Sequence, residues 1–127
     1  FERALSLAKE THAELLVAHA YQERALPQLG FATTASYEEW DREFRTQAAA
    51  QLEPLAARAR GEGVVAEALL LPGFPDEAIV EAARARRADL IVVGTHGRRG
   101  AARLLLGSVA ARVLATAAVP VLTVRGE

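Results

Sequence analysis

The sequence predicts an α/β fold in which an open parallel sheet is covered by helices on both faces. Segments with helical periodicity alternate with short apolar segments of strand length along the whole chain. The segment Ala88–Gly94 also holds four large apolar residues in a row. Alternating helices and strands imply parallel strands joined by crossover helices, and continuous apolar runs are typical of strands buried on both faces.

The first half of the chain is predicted to form a helix, a strand and a second, longer helix. Apolar residues recur at helical spacing within Phe1–Thr11, and Ala13–Tyr21 is an apolar run of strand length. Ser36 followed by Glu39 resembles a capping box, which marks the start of a helix. The apolar residues that follow in the sequence recur at helical spacing and predict a long helix, which is kinked by an internal proline and ends at Gly61.

The second half is predicted to contain three strands and two helices. The strands are Val64–Leu71, Ala88–Gly94 and Val119–Arg125. Pro75 suits the first position of the helix after the first of these strands, and Ser108 can cap the helix before the last one. The first and last of these strands are expected at sheet edges, because one carries a charge in its middle and the other begins with a proline.

No predicted strand precedes the predicted helix Phe1–Thr11 in the sequence. In this architecture each helix connects two strands. We therefore expect a single domain over residues 1–127 that is completed by a further strand N-terminal to Phe1, outside this sequence. The length of 127 residues agrees with one domain.

Composition excludes several classes of function. The net charge of −1 argues against a general nucleic-acid binder, and the absence of cysteine excludes disulfides and thiol catalysis. No apolar run approaches the roughly 20 residues of a membrane span, and no signal peptide is visible. We expect a cytoplasmic protein that binds neither nucleic acid nor membrane.

The segment from Val92 to Ser108 follows a predicted strand and leads into a predicted helix. Gly94 and Gly97 would let a ligand approach the backbone, and the helix N-terminus at Gly107 attracts anions. Neither a Walker A loop nor a GxGxxG pattern is present. From spacing alone the segment fits both a phosphate-binding loop and a flexible connection between strand and helix.

The motif Gly94-Thr95-His96-Gly97, followed after nine residues by Gly107-Ser108, resembles the ATP-binding branch of the universal stress protein family. That branch carries G-x-x-G, nine residues, then G-S or G-T. The flanking segments "ADLIVVGTHGRRG" and "LLLGSVAARVLATAAVPVLTVR" are similar as well. The resemblance covers nearly the whole chain.

This resemblance implies an adenine nucleotide alpha-hydrolase-like fold with a five-stranded sheet in the order 3-2-1-4-5, whose first strand is the absent one. It implies ATP, with or without Mg²⁺, as the ligand. Gly94, Gly97, Gly107 and Ser108 would hold the ribose and the phosphates, and the backbone of Ala20 would meet the adenine. In the family an aspartate after the first strand also contacts adenine, and that residue is not in this sequence.

The predicted nucleotide-binding residues are Ala20, Val93, Gly94, Thr95, His96, Gly97, Arg98, Arg99, Gly107, Ser108 and Val109. Val109 stands where many family members have asparagine. No catalytic residue is predicted, because His96 has no visible partner that would make it a base. The three histidines are too scattered for a metal site. Efficient hydrolysis is not expected, because neither a general base nor a carboxylate placed like a magnesium ligand can be identified.

The resemblance further implies a stress-response regulatory homodimer that pairs through its last strand, Val119–Arg125. Two alternatives stay open at this point. The same fold could serve as a dimerisation or interaction module that binds no nucleotide, or it could hydrolyse a nucleotide slowly.

Overall fold

The computed structural model describes residues 1–21, 34–95 and 106–125, in which four helices alternate with four strands. In chain order these elements are α1 (Glu2–Thr11), β1 (Leu15–Tyr21), α2 (Thr34–Gly61), β2 (Ala66–Pro72), α3 (Pro75–Ala85), β3 (Ile91–Gly94), α4 (Ser108–Thr116) and β4 (Val121–Val124). The predicted α/β class and the predicted order of elements are confirmed.

The strands form two parallel pairs. β1 pairs with β2, with Leu15 opposite Ala66, and β3 pairs with β4, with Ile91 opposite Val121. The chain divides into two compact units, Phe1–Gly73 and Phe74–Glu127, and each unit holds one pair. Across the described ranges each strand is paired along one edge only. The single domain with a further strand therefore stays a prediction.

The core of the first unit forms where α1 meets the end of α2. Leu5 and Ala8, one helical turn apart, pack with Ala59 of α2 and with Val64 just before β2. Leu5 is the largest side chain among these four buried residues. This cluster is the largest group of buried apolar side chains in the part of this unit that the structure describes.

Helix α2 begins at Thr34, so Ser36 lies inside the helix and the predicted start at a capping box on Ser36 is wrong, whereas the predicted end at Gly61 is met. It runs for 28 residues through Pro54 and ends at Gly61. Gly63, two residues on, has φ +88°, which glycine adopts without steric cost. The predicted kink at Pro54 stays a prediction, whereas the predicted end of the helix is confirmed. Of the described helices, none is both long and apolar enough to cross a bilayer.

Strand β3 is shorter than the apolar run that predicts it. The Ala88 N–H donates to the Ala83 carbonyl at 2.9 Å, so the residues after α3 complete its last turn instead of extending the strand. Leu90 is 41% exposed, whereas Ile91 is 7% exposed. The expectation that the whole apolar run is buried on both faces is therefore wrong.

Exposed ion pairs join α1 to the end of α2. The Arg58 guanidinium donates to both carboxylate oxygens of Glu2, one at 2.8 Å, and to Glu62 at 3.1 Å. Lys9 donates to the other oxygen of Glu62 at 3.0 Å. Hydrogen bonds from Arg58 lower the pKa of Glu2, and those from Lys9 and then Arg58 lower the pKa of Glu62.

We expect acid to abolish the contribution of this ion-pair network to stability. A carboxyl whose pKa is depressed by folding stabilises the protein above its unfolded pKa, and the effect is lost as the pH falls through its folded pKa. The double substitution Glu2→Gln and Glu62→Gln should lower the urea midpoint at neutral pH. That difference from the wild type should narrow as the pH falls below 4.5, the ordinary pKa of a glutamate.

Glu38, an exposed carboxylate elsewhere on α2, provides the control for this prediction. Glu38→Gln should leave the urea midpoint unchanged at each pH. A deficit of the double variant that stays constant through the acid range would contradict the assignment of the effect to these ion pairs.

Candidate functional site

The carboxyl end of β3 is fixed by a hydrogen bond from the following residue. The Thr95 N–H donates to the Val124 carbonyl at 2.8 Å and so continues the β3–β4 ladder by one residue. Within this ladder Val93 faces β4, so the N–H and carbonyl of Gly94 face the opposite edge. The backbone of Gly94 is thus directed away from β4 at the end of the strand where open α/β sheets bind ligands.

A second hydrogen bond brings the start of α4 to the end of β3. The Gly107 N–H donates to the Thr95 carbonyl at 2.5 Å. Two stretches of the predicted motif, separated by eleven residues in the sequence, therefore meet at one place. Val93, Gly94 and Thr95 stand on one side of this contact, and Gly107, Ser108 and Val109 stand on the other.

The helix cap differs from the prediction. Gly107 occupies the N-cap position of α4, with φ −59° and ψ 151°, and Ser108 is the first helical residue. The prediction that Ser108 caps the helix is therefore wrong. The reason is that the Gly107 N–H is already bonded to Thr95, which fixes Gly107 in an extended conformation, and its carbonyl accepts the first helical bond from Ala111 at 2.9 Å.

This arrangement leaves the start of α4 able to receive an anion. The first N–H groups of a helix have no partner within it, and α4 has no side-chain cap. Ser108 is exposed, and no hydrogen bond joins its hydroxyl to any residue that the structure describes. No acidic side chain occupies the first turn of α4. N–H groups, helix dipole and hydroxyl together suit a phosphate or another oxyanion.

Ala20 lies at the carboxyl end of β1, in the first unit. The Tyr21 carbonyl accepts a hydrogen bond from the Gly73 N–H at 2.8 Å, so Tyr21 faces β2. Because successive residues of a strand face opposite edges, the N–H and carbonyl of Ala20 are directed away from β2. Among the described strands, none pairs with the backbone of Ala20 at this edge of β1.

An aromatic cluster that we did not predict holds this end of β1. The buried Tyr21 ring packs on Phe44 of α2, with 5.9 Å between ring centroids, and Phe44 stacks on Trp40 at 5.4 Å. The Arg45 guanidinium lies 5.4 Å from the centroid of the Tyr21 ring. The helical spacing of Trp40 and Phe44 predicts their contact with each other, but only tertiary structure brings Tyr21 to them.

Four of the predicted site residues, His96, Gly97, Arg98 and Arg99, lie outside the described residues. Within the part of the chain that the structure describes, hydrogen bonds shift the pKa values of five side chains outside this site, namely Glu2, Arg58, Glu62, Glu81 and Arg84. Among the residues described, no group of three or more histidine, cysteine or acidic side chains could hold a metal ion. The described residues of the site offer backbone N–H groups, the Ser108 hydroxyl and the dipole of α4.

Comparison with known proteins agrees with this architecture. A model of the Universal stress protein family matches residues 1–125. Universal stress protein MJ0531 of Methanocaldococcus jannaschii is 36% identical over 124 residues, which cover 98% of this chain and 72% of that protein. Hypothetical protein MJ0577 of the same organism superposes with a TM-score of 0.80 at 25% identity, covering 99% of this chain and 88% of that one.

Two similar structures contain adenine nucleotides. A universal stress protein in complex with cAMP is 30% identical, with a TM-score of 0.67, and the match covers 98% of this chain and 83% of that one. The universal stress protein of Archaeoglobus fulgidus in complex with dAMP is 25% identical, with a TM-score of 0.66, over 95% of this chain and 81% of that one. The family match over almost the whole chain and the shared fold give one conclusion: the chain belongs to the universal stress protein family.

Proposed function

We propose that this chain binds an adenine nucleotide, with ATP as the leading candidate, at the end of β3 and the start of α4. The hydrogen bond between Gly107 and Thr95 carries the proposal, because it joins the two parts of the glycine motif beside a helix N-terminus without a side-chain cap. The structures of relatives with cAMP and dAMP support an adenine nucleotide as the ligand.

Each described residue of the site has a defined part in this proposal. The N–H groups of the first turn of α4 and the Ser108 hydroxyl donate to phosphate oxygens, where the helix dipole also favours negative charge. Gly94, which has no side chain, lets the ligand approach the backbone at the end of β3. The backbone of Ala20 contributes to the adenine pocket, as the family resemblance implies.

The remaining predicted residues, His96, Gly97, Arg98 and Arg99, complete the proposed phosphate site. Backbone groups at Gly97 and the positive charge of the two arginines would add to the attraction of the helix N-terminus. Mg²⁺, where it accompanies ATP, would be held by phosphate oxygens and water, since Mg²⁺ usually keeps several waters in such sites. Val93 and Val109 flank the ligand with apolar surface.

We also propose that the protein acts as a regulatory homodimer that pairs through β4. The Ile91 N–H donates to the Pro120 carbonyl at 3.0 Å, and the Thr95 N–H donates to the Val124 carbonyl. The backbone carbonyls of Pro120 and Val124 therefore face β3. Val121 and Thr123 consequently face the outer edge with complete N–H and carbonyl groups. An edge of this kind can pair with the same edge of a second copy.

The open edges of β1 and of β3 favour the further strand that the helix order predicts. Each of these edges presents alternate N–H and carbonyl groups that no described strand pairs with. We propose that a further strand pairs with an edge of this kind and completes the domain.

Nucleotide bound to the purified full-length protein tests the main proposal. Mass spectrometry of the denatured protein should detect ATP, ADP, AMP or cAMP in stoichiometric amounts. Calorimetric titration of the nucleotide-free protein with ATP and Mg²⁺ should give saturable heat. Absence of both signals from a folded sample would overturn nucleotide binding and favour an interaction module of the same fold.

A further inference from the structure

The two edges of β2 are distinguished by hydrogen bonds at its ends. The Val65 carbonyl accepts from the Leu15 N–H at 2.8 Å, and the Gly73 N–H donates to Tyr21 at 2.8 Å. Residues 65 and 73 therefore face β1, and so do the odd-numbered residues between them. The residues that face the outer edge are Ala66, Ala68, Leu70 and Pro72.

The first outward carbonyl of β2 is already bonded. Arg60, in the last turn of α2, donates from Nε to the Ala66 carbonyl at 2.8 Å. The same guanidinium donates from Nη1 to the Glu53 carboxylate at 2.6 Å, two turns earlier in the helix. Glu53 thus holds Arg60 in place across the start of the strand, where a neighbouring strand would need to bond.

The last outward position of β2 has no donor. Pro72 lacks an N–H, and its nitrogen falls on the outer edge because Gly73 faces β1. Prolines in sheets are tolerated at such positions because no ladder bond is lost. Between the two ends, only Ala68 and Leu70 present both a donor and an acceptor outward. Glu67, the second residue of the strand, adds an exposed charge near its start.

We propose that Arg60, held by Glu53, and Pro72 close the outer edge of β2 to pairing with a strand of a second copy of this chain. The proposal goes beyond the nucleotide site and does not depend on it. It also explains why self-association would use β4. Among the described residues, no side chain bonds to the outward backbone groups of Val121 and Thr123, and neither residue is a proline. Closing the outer edge of β2 removes it as a second pairing surface beside β4, and two such surfaces on one chain would permit assembly into open chains.

Removing the Arg60 side chain from the edge of β2 should change self-association more than it changes the stability of the fold. Arg60 and Glu53 have side chains that are 45% and 55% exposed, and ion pairs this accessible contribute little to stability. Without Arg60, the Ala66 carbonyl becomes an acceptor for an incoming strand. Each main-chain hydrogen bond gained across an interface favours association, and two or three of them change an affinity by about tenfold or more.

Sedimentation velocity over a range of protein concentrations tests the proposal on the full chain. Arg60→Ala should form species larger than the wild-type species. The apparent dissociation constant of its self-association should be lower than that of the wild type by about tenfold or more. Arg42→Ala removes an exposed arginine from the same helix and should sediment like the wild type. Arg60→Ala that sediments like the wild type would overturn the proposal.

A second substitution identifies the surface that associates. Ala68→Pro removes an outward N–H without removing a bond to β1, so the double variant Arg60→Ala, Ala68→Pro should return to wild-type sedimentation. Continued association of the double variant would overturn the proposal, because another surface would then be responsible. Circular dichroism checks that each variant is folded.

Glu53→Gln keeps the test decisive if Arg60→Ala does not fold. This variant removes the charge that holds Arg60 in place without altering the guanidinium. Its self-association should be stronger than that of the wild type and weaker than that of a chain without the Arg60 side chain. Wild-type behaviour of a folded Glu53→Gln would in that case overturn the proposal. A monomeric wild type would contradict pairing through β4 while leaving the comparison of variants valid, so the two proposals fail separately.

Discussion

Ser108→Asp is expected to weaken ATP binding by about 100-fold or more while making the protein more stable. A carboxylate in the first turn of α4 interacts favourably with the helix dipole, which is worth about 0.3–1 kcal/mol. The same charge lies where the proposed phosphate binds and repels it. Ser108 makes no side-chain cap to α4, so its replacement removes no bond of that kind. Calorimetric titration and urea unfolding measure the two effects.

Thr116→Asp is the matched control at the other end of α4. Thr116 is exposed, and its hydroxyl donates to the Arg112 carbonyl at 2.8 Å within the last turn. A negative charge there opposes the helix dipole, so stability should fall by a few tenths of a kcal/mol. Its affinity for ATP should remain that of the wild type. If Ser108→Asp bound ATP as tightly as the wild type, the phosphates would not bind at this helix N-terminus.

Leu5→Ala is expected to lower the free energy of unfolding by about 2–4 kcal/mol. Leu5 is 3% exposed and packs against Ala8, Ala59 and Val64. Its two helix neighbours in this cluster are alanines, which have no side-chain freedom with which to fill the cavity. Urea denaturation followed by circular dichroism measures the loss, and the slope of the transition should not change.

Leu7→Ala on the same helix separates burial from helix propensity. Leu7 is half-buried and lies outside the buried cluster, so the same change of residue type should cost about 1 kcal/mol, in proportion to the smaller apolar area that it removes from water. Equal losses for Leu5→Ala and Leu7→Ala would show that the cluster of α1 and α2 does not dominate the stability of this unit.

Local sequence signals were sufficient for most of the fold. The alternation of periodic and apolar segments predicted all eight described elements in their order. Pro75 begins α3, as predicted, and acidic residues follow it in the first turn. Gly61 ends α2. Each of these signals acts through the chain's own neighbours, by fixing φ, removing an N–H or placing charge beside a helix end, so it can be identified without a tertiary structure.

The candidate site was only partly predictable in the same way. The spacing of Gly94, Thr95, Gly107 and Ser108 identified the motif, but it assigned the helix cap to Ser108. The carbonyl of Thr95, distant in sequence, takes the Gly107 N–H and moves the cap by one residue. Likewise, nothing in the spacing of Trp40 and Phe44 indicates that Tyr21 at the end of β1 completes their cluster.

The sequence by itself determined the family, the order of the elements and the composition of the glycine motif, because these depend on residue type and local spacing. The tertiary structure decided which edge each strand presents. Pro120 predicts only that the last strand lies at a sheet edge, whereas the bond from Ile91 of β3 to its carbonyl shows that its missing N–H does not fall on the outer edge. Pro72 and Arg60 instead close β2. The side of a ladder on which a backbone group falls depends on strand register, which only the pairing of distant segments fixes.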